Sequence, residues 1–155
     1  MNYSKINIDN LLGENRRILI TGGAGFIGTN LIIRLLENSS LIIYSLDKLG
    51  YASSLWPVKK FLSESDIKIK SRFTFLKVDL SNPSDISNAI KEADPDFIIH
   101  LAAESHVDRS IVSPDCFIKS NIVGTFNLLT SCKNHYENLI LERKLNFKFL
   151  HVSTD

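Results

Sequence analysis

From Arg17 onward, short apolar runs alternate with stretches whose apolar residues recur every three or four positions. The runs Arg17–Thr21, Leu41–Leu46, Arg72–Val78, Phe97–Leu101 and Lys148–Val152 are too short for helices. Bounded by helical and turn-forming segments, they predict strands of a mostly parallel sheet buried on both faces. Phe26–Asn38 carries Ile27, Leu31, Ile32, Leu35 and Leu36 at helical spacing, which predicts a crossover helix. Asn82-Pro83 opens another helix, with Asn82 as N-cap and Pro83 in the first turn, running to about Ala93. A third begins near Ser113-Pro114 and carries Phe117, Ile118, Ile122, Phe126, Leu128, Leu129 and Tyr136 to about Arg143, the longest helix expected. Gly50–Lys70 reads as an insertion with a short helix over Val58–Ser65. Met1–Asn15 is polar, so residues 1–16 are expected to be a loosely ordered lead-in with an apolar docking patch at Leu11 and Leu12.

A chain of 155 residues, 44% hydrophobic and 23% charged, is long enough for one domain with its own core, here placed at 17–155. Its formal charge of +1, from 18 Lys+Arg against 17 Asp+Glu, supplies no electrostatic footprint for nucleic acid or an anionic membrane. No apolar run reaches the roughly eighteen residues of a membrane span. Cys116 and Cys132 fall in the longest predicted helix, roughly 24 Å apart along its axis, too far to bridge. Two free thiols and no apolar signal segment at Met1–Asn15 point to a reducing, cytoplasmic setting.

The densest chemical signal is Ile20-Thr21-Gly22-Gly23-Ala24-Gly25-Phe26-Ile27-Gly28, an apolar strand passing through glycines into an amphipathic helix. Such a turn must leave the strand sharply, bring backbone N–H groups against a diphosphate and pack the helix on the sheet, and side chains obstruct each task. The helix N-terminus then offers unsatisfied N–H groups and a favourable dipole to the anion. No Gly-Lys-Ser/Thr follows, which argues against a triphosphate-hydrolysing P-loop. Asp47, about twenty residues on at the end of the second strand, completes a dinucleotide fingerprint. Its carboxylate suits ribose hydroxyls and repels a 2′-phosphate, favouring NAD over NADP, although adjacent Lys48 works against that preference. The fold class expected is α/β, a doubly wound, mostly parallel Rossmann sheet.

Gly22, Gly25 and Gly28 at Gly-x-x-Gly-x-x-Gly spacing resemble the extended short-chain dehydrogenase/reductase superfamily. Asp47-Lys48-Leu49, the string from His100-Leu101-Ala102-Ala103-Glu104-Ser105-His106 to Ser110, Asn121-Ile122-Val123-Gly124-Thr125 and the closing Ser153-Thr154-Asp155 resemble its dTDP-glucose 4,6-dehydratase family. The resemblance implies that Phe26 and Ile27 cover the diphosphate, Asp47, Lys48 and Leu49 hold the adenosine ribose, and Asp79 and Leu80 flank adenine. Leu101, Ala102, Ala103 and Glu104 pass along the nicotinamide, Ser105 lies between cofactor and substrate, and Ser120 stands where the family has a cofactor-contacting threonine. Gly50 replaces a threonine usual in that family. His100 reads as a satisfied strand histidine, and neither His106 nor His151 has metal-ligand spacing, so no metal is assigned.

The implied activity is NAD-dependent dehydration of dTDP-glucose to the 4-keto-6-deoxy sugar. Thr154 would bond the C4 oxygen, and Asp155 would protonate the leaving C6 hydroxyl, which requires a raised pKa. Thr154 and Asp155 are thus both the catalytic candidates and, with Ser105, the substrate-binding ones. The resemblance places the partner glutamate directly after Asp155 and a Tyr-x-x-x-Lys pair further on. Tyr136 precedes Thr154, and the next lysine, Lys144, lies eight residues beyond that tyrosine. On this reading the chain is a cofactor-binding half, cut after about the fifth strand and inactive alone. The absent lobe would hold the nucleotide, and the full-length relatives would be homodimeric. A UDP-glucose 4,6-dehydratase, another NAD-dependent sugar-nucleotide epimerase or decarboxylase, and a non-catalytic NAD-binding module remain alternatives.

Overall fold

The computed structural model describes residues 8–106 and 111–153. Five parallel strands, β1 (Arg17–Thr21), β2 (Ile42–Asp47), β3 (Phe73–Lys77), β4 (Phe97–His100) and β5 (Lys148–His151), form one sheet in the order β3-β2-β1-β4-β5. The predicted strands and the doubly wound α/β class are therefore present, with ends differing by one residue. Because all strands are parallel, Thr21, Leu46 and His100 lie level at one edge of the sheet. The chain adds β2 and β3 on one side of β1, then crosses to place β4 on the other. This reversal leaves a crevice beyond the end of β1.

Side-chain alternation sorts the core into two layers. Ile18, Ile20 and Ile43 pack with Ile32, Leu35 and Leu36 of α2 (Phe26–Asn38) and Val58 of α3 (Trp56–Glu64). On the opposite face Leu19, Leu46 and Ile98 meet Ile86, Ala89 and Ile90 of α5 (Pro83–Ala93), together with Leu128 and Cys132. Burial pushes the Cys132 thiol up to about 12, which makes it an inert core residue. Asn82 caps α5 as its sequence suggested, accepting from the Ser84 N–H at 3.2 Å. A short α4 (Ile67–Lys70), capped by Asp66, completes the insertion. At the chain start Ile8–Leu12 forms α1. Leu12 and Ile8 pack against the α2 layer, whereas Leu11 is exposed.

The longest helix differs from expectation in two ways. It runs through α6 (Pro114–Phe117), a π-helical stretch (Ile118–Gly124) and α7 (Thr125–Asn138), and ends at Asn138 instead of near Arg143. The buried Leu139 turns extended there, with φ −71° and ψ 150°. A separate α8 (Leu141–Asn146) follows and aims Arg143 at the carboxylates of Asp94 and Asp96 below the sheet. Burial of Leu139 and capture of Arg143 redirect the chain toward β5, which an apolar repeat read along the sequence does not reveal. No helix among the described residues is long and apolar enough to cross a membrane.

Candidate functional site

The turn after β1 is built by close backbone packing. Gly22 has φ +70° and donates its N–H to Leu46 O at 2.8 Å. A Cβ there would stand 2.7 Å from Ala102 N, and one on Gly28 would stand 2.3 Å from Gly22 O. Gly25 is different, since a Cβ would meet only Gly22 O, at 3.2 Å, and otherwise open space. Gly25 is also the N-cap of α2 and supplies no side-chain acceptor. The first amides of α2 therefore lack both an intrahelical carbonyl and a cap, and face the crevice with the positive end of the helix dipole.

That crevice is a cleft of about 390 Å³. It gathers Gly22, Gly25, Phe26, Ile27 and Gly28 from the turn, Asp47 and Lys48 from the end of β2, and Asp79 and Leu80 from beyond β3. Leu101, Ala102, Ala103, Glu104 and Ser105 come from the loop after β4, and Ser120 from the π-helical stretch. Phe26 and Ile27 are 86% and 63% exposed, an apolar rim at the helix entrance. Leu49 is the exception. Its side chain does not line the cleft, and its backbone, at φ +60°, donates N–H to Asp47 Oδ1 at 2.8 Å. Thr154 and Asp155 lie outside the described residues, as do residues 107–110 of the string after His106.

Asp47 is buried and already bonded. Its Oδ2 accepts from Ala24 N–H at 3.1 Å, and Oδ1 accepts from Leu49 N–H and from the Ser53 hydroxyl at 2.9 Å. The carboxylate thus fastens the glycine turn to the loop after β2. Lys48, the residue that clouded cofactor preference, is paired with Glu104 at 2.8 Å. Burial works to raise the Asp79 pKa, but bonds from the Ser81 N–H and hydroxyl, with the charge of Lys48, outweigh it and hold the carboxyl below its usual range.

Asn121 and Thr125 act as braces. Asn121 Oδ1 accepts from Glu104 N–H at 2.8 Å while its amide donates to Glu104 O at 2.9 Å, fixing the loop after β4 across seventeen residues of sequence. Gly124 lies against Leu80, where a Cβ would come within 2.9 Å of the Leu80 Cβ. His100 sits between Thr21 Oγ1, 2.6 Å from Nδ1, and Thr125 Oγ1, 3.0 Å from Nε2. Burial, with the nearby His151, lowers its pKa to about 4, so it is neutral and satisfied as read from the sequence. Among the described residues no cluster of three or more His, Cys, Asp or Glu could hold a metal ion.

Sequence reasoning missed Tyr51, Ala52 and Ser53, which continue the wall beyond Gly50 and fall in the segment that reads as an insertion. Their closeness to Asp47 in sequence was the available signal. It also passed over Tyr44 and Lys48, which do stand four apart. That spacing joins two residues on a helix, but on β2 Tyr44 packs against the core while Lys48 reaches Glu104.

The family model described as GDP-mannose 4,6 dehydratase matches residues 19–155. A dTDP-glucose 4,6-dehydratase of Salmonella typhimurium is 42% identical over 139 residues, covering 90% of this chain and 37% of the relative. Among solved structures, a Bacillus anthracis dTDP-glucose 4,6-dehydratase in complex with NAD superposes with a TM-score of 0.67 and 30% identity, over 88% of this chain and 37% of that one. A Thermus thermophilus UDP-glucose 4-epimerase complexed with NAD gives a TM-score of 0.64 and 29% identity, over 77% of this chain and 34% of the other. The chain thus spans little more than a third of the length of these proteins.

Proposed function

The chain belongs to the GDP-mannose 4,6-dehydratase family of the extended short-chain dehydrogenase/reductases, and from that premise we propose that it binds NAD and serves a nucleotide-sugar 4,6-dehydratase acting on dTDP-glucose. The observation that carries the cofactor reading is the uncapped start of α2 facing the cleft beside Asp47. The diphosphate would lie on the amides of Phe26 and Ile27. Gly22 and Gly28 fit this role because their missing side chains let the turn pack closely, and Gly25 because it leaves the anion's space open. Asp47 has room for about four acceptor contacts, three of them used, so a ribose hydroxyl joins or displaces the Ser53 hydroxyl. Asp79 and Leu80 would flank adenine, and Leu101 to Glu104 the nicotinamide, with Lys48 shaping the ribose wall and the Leu49 amide holding the Asp47 carboxylate in it.

When bound, NAD supplies a reversible hydride acceptor. The protein's part is to orient it and exclude water. Ser105 and Ser120 offer hydroxyls to substrate and cofactor, Thr154 would bond the C4 oxygen, and Asp155, kept protonated, would deliver a proton to the departing C6 hydroxyl. Supporting this reading over an epimerase is the Thr154-Asp155 ending, since epimerisation at C4 needs no acid at C6. Cytoplasmic residence and pairing of two copies in the whole protein complete the proposal. Nucleic acid is not among the proposed partners, given a net charge of +1.

Calorimetric titration with NAD tests the cofactor reading, with micromolar binding and at least tenfold weaker NADP binding expected. Equal affinity for the two, or no heat from NAD, would refute it. Formation of the 4-keto-6-deoxy product from dTDP-glucose by the whole protein, and its loss in Asp155→Asn, tests the activity.

A further inference from the structure

Two contacts cross the cleft from the loop after β2 to the loop after β4, over the end of β1 that lies between them. Lys48 Nζ stands 2.8 Å from Glu104 Oε1. The Tyr51 and His106 rings meet edge-on, with centroids 5.8 Å apart at 81°. All four residues line the cleft. The two sides are held differently. Glu104 is fixed through its backbone by Asn121, and its side chain is 14% exposed against 36% for Lys48. The opposite loop is tied to Asp47 through Leu49 N–H and the Ser53 hydroxyl, and to Ala24 O through Ser54 N–H, with Tyr51 between these anchors 81% exposed.

We propose that the Lys48–Glu104 ion pair, supported by the Tyr51–His106 contact, is a clasp that closes over the bound dinucleotide and sets how fast it leaves. The proposal rests on the NAD reading above. Entry requires the loop carrying Lys48 and Tyr51 to part from the braced side. Once a diphosphate lies on the glycine turn, its negative charge favours the Lys48 ammonium in the closed position, because opposite charges attract across a partly shielded cleft. Lys48 and Glu104 line the same cleft as Asp79 and Ala102. Lys48 and Glu104 are positioning residues here: they join the wall that receives adenosine to the wall that receives nicotinamide.

The test combines two readouts on the chain as it stands, amide hydrogen exchange over residues 48–53 without cofactor and release of NADH followed by fluorescence after displacement with excess NAD. Lys48→Met and Glu104→Gln should each raise the exchange and release NADH about fivefold to tenfold faster. The double variant should be no faster than either single one, because both remove the same pair. Lys48→Arg should restore slow release. Unchanged release in Lys48→Met overturns the clasp, as does slow release in Glu104→Gln, which would mean that Lys48 acts on the diphosphate alone. Absence of any NADH signal in the unaltered protein overturns the cofactor reading and the clasp with it, whereas normal binding with unaltered release overturns only the clasp.

Discussion

Single residues in the cleft do separable work. Gly22→Ala and Gly28→Ala each drive a Cβ into backbone that cannot yield, so both should lower unfolding free energy by about 2 kcal/mol or more and abolish NAD binding. Gly25→Ala meets one carbonyl oxygen at 3.2 Å and should fold with a loss of about 1 kcal/mol or less, yet bind NAD at least tenfold more weakly because the methyl enters the diphosphate's space. Urea denaturation read beside NAD titration separates the two effects. His100 carries a pH signature. Its folded pKa of about 4 lies below the ordinary 6.5, so the unfolded chain takes up its proton first as pH falls. Stability is therefore full above 6.5 and declines as pH drops toward 4, by about 3 kcal/mol from this group. In His100→Gln the slope of stability against pH over that window should flatten, and an unchanged slope would assign the loss elsewhere. Asp79, whose carboxyl is held below its usual range, loses its contribution at the acid end of this window and below, so the slope nearer 6.5 reports His100.

Elements are placed by a few long-range polar contacts. At the end of the sheet opposite the cleft, Arg143 donates from Nε to Asp96 at 3.0 Å and from Nη1 to Asp94 at 2.9 Å, and Arg17 pairs with Asp94 as well. Burial works to lower the Arg143 pKa, but the two carboxylates outweigh it and raise it. The pairs are partly shielded, with Arg143 21% and Asp96 10% exposed, so Arg143→Leu should cost about 2 kcal/mol after allowance for solvent screening. Exchange should rise first over 141–151, because this arginine ties α8 and the start of β5 to the sheet; uniform loss across the molecule would contradict that role. At the cleft end, the π-helical stretch widens the helix at the place where Asn121 reaches Glu104 and Gly124 meets Leu80. Such a bulge at a site positions side chains that a regular helix would turn away.

At the scale of the molecule, the sequence alone determined the strands, the α2 and α5 helices with their ends, the α/β class and the two layers of the core. These follow from local periodicity, capping residues and alternation across a sheet. The glycine turn was legible through its strand-to-helix context and through the close approach of Gly28 to Gly22, which lies between near neighbours in the chain, whereas the packing of Gly22 on Ala102 is long-range. Tertiary structure decided the rest. It stopped the longest helix at Asn138, because Leu139 found burial and Arg143 found two carboxylates that local sequence does not contain. It brought Tyr51 and Ser53 into the cleft wall, set Asp47 to fastening the turn, and turned Lys48 toward Glu104. The Lys48 contact depends on a partner brought near only when the chain crosses from β3 to β4, and the Asp47 bond to Ala24 on the pairing of β1 with β2; a contact between distant segments has no local period by which to be read.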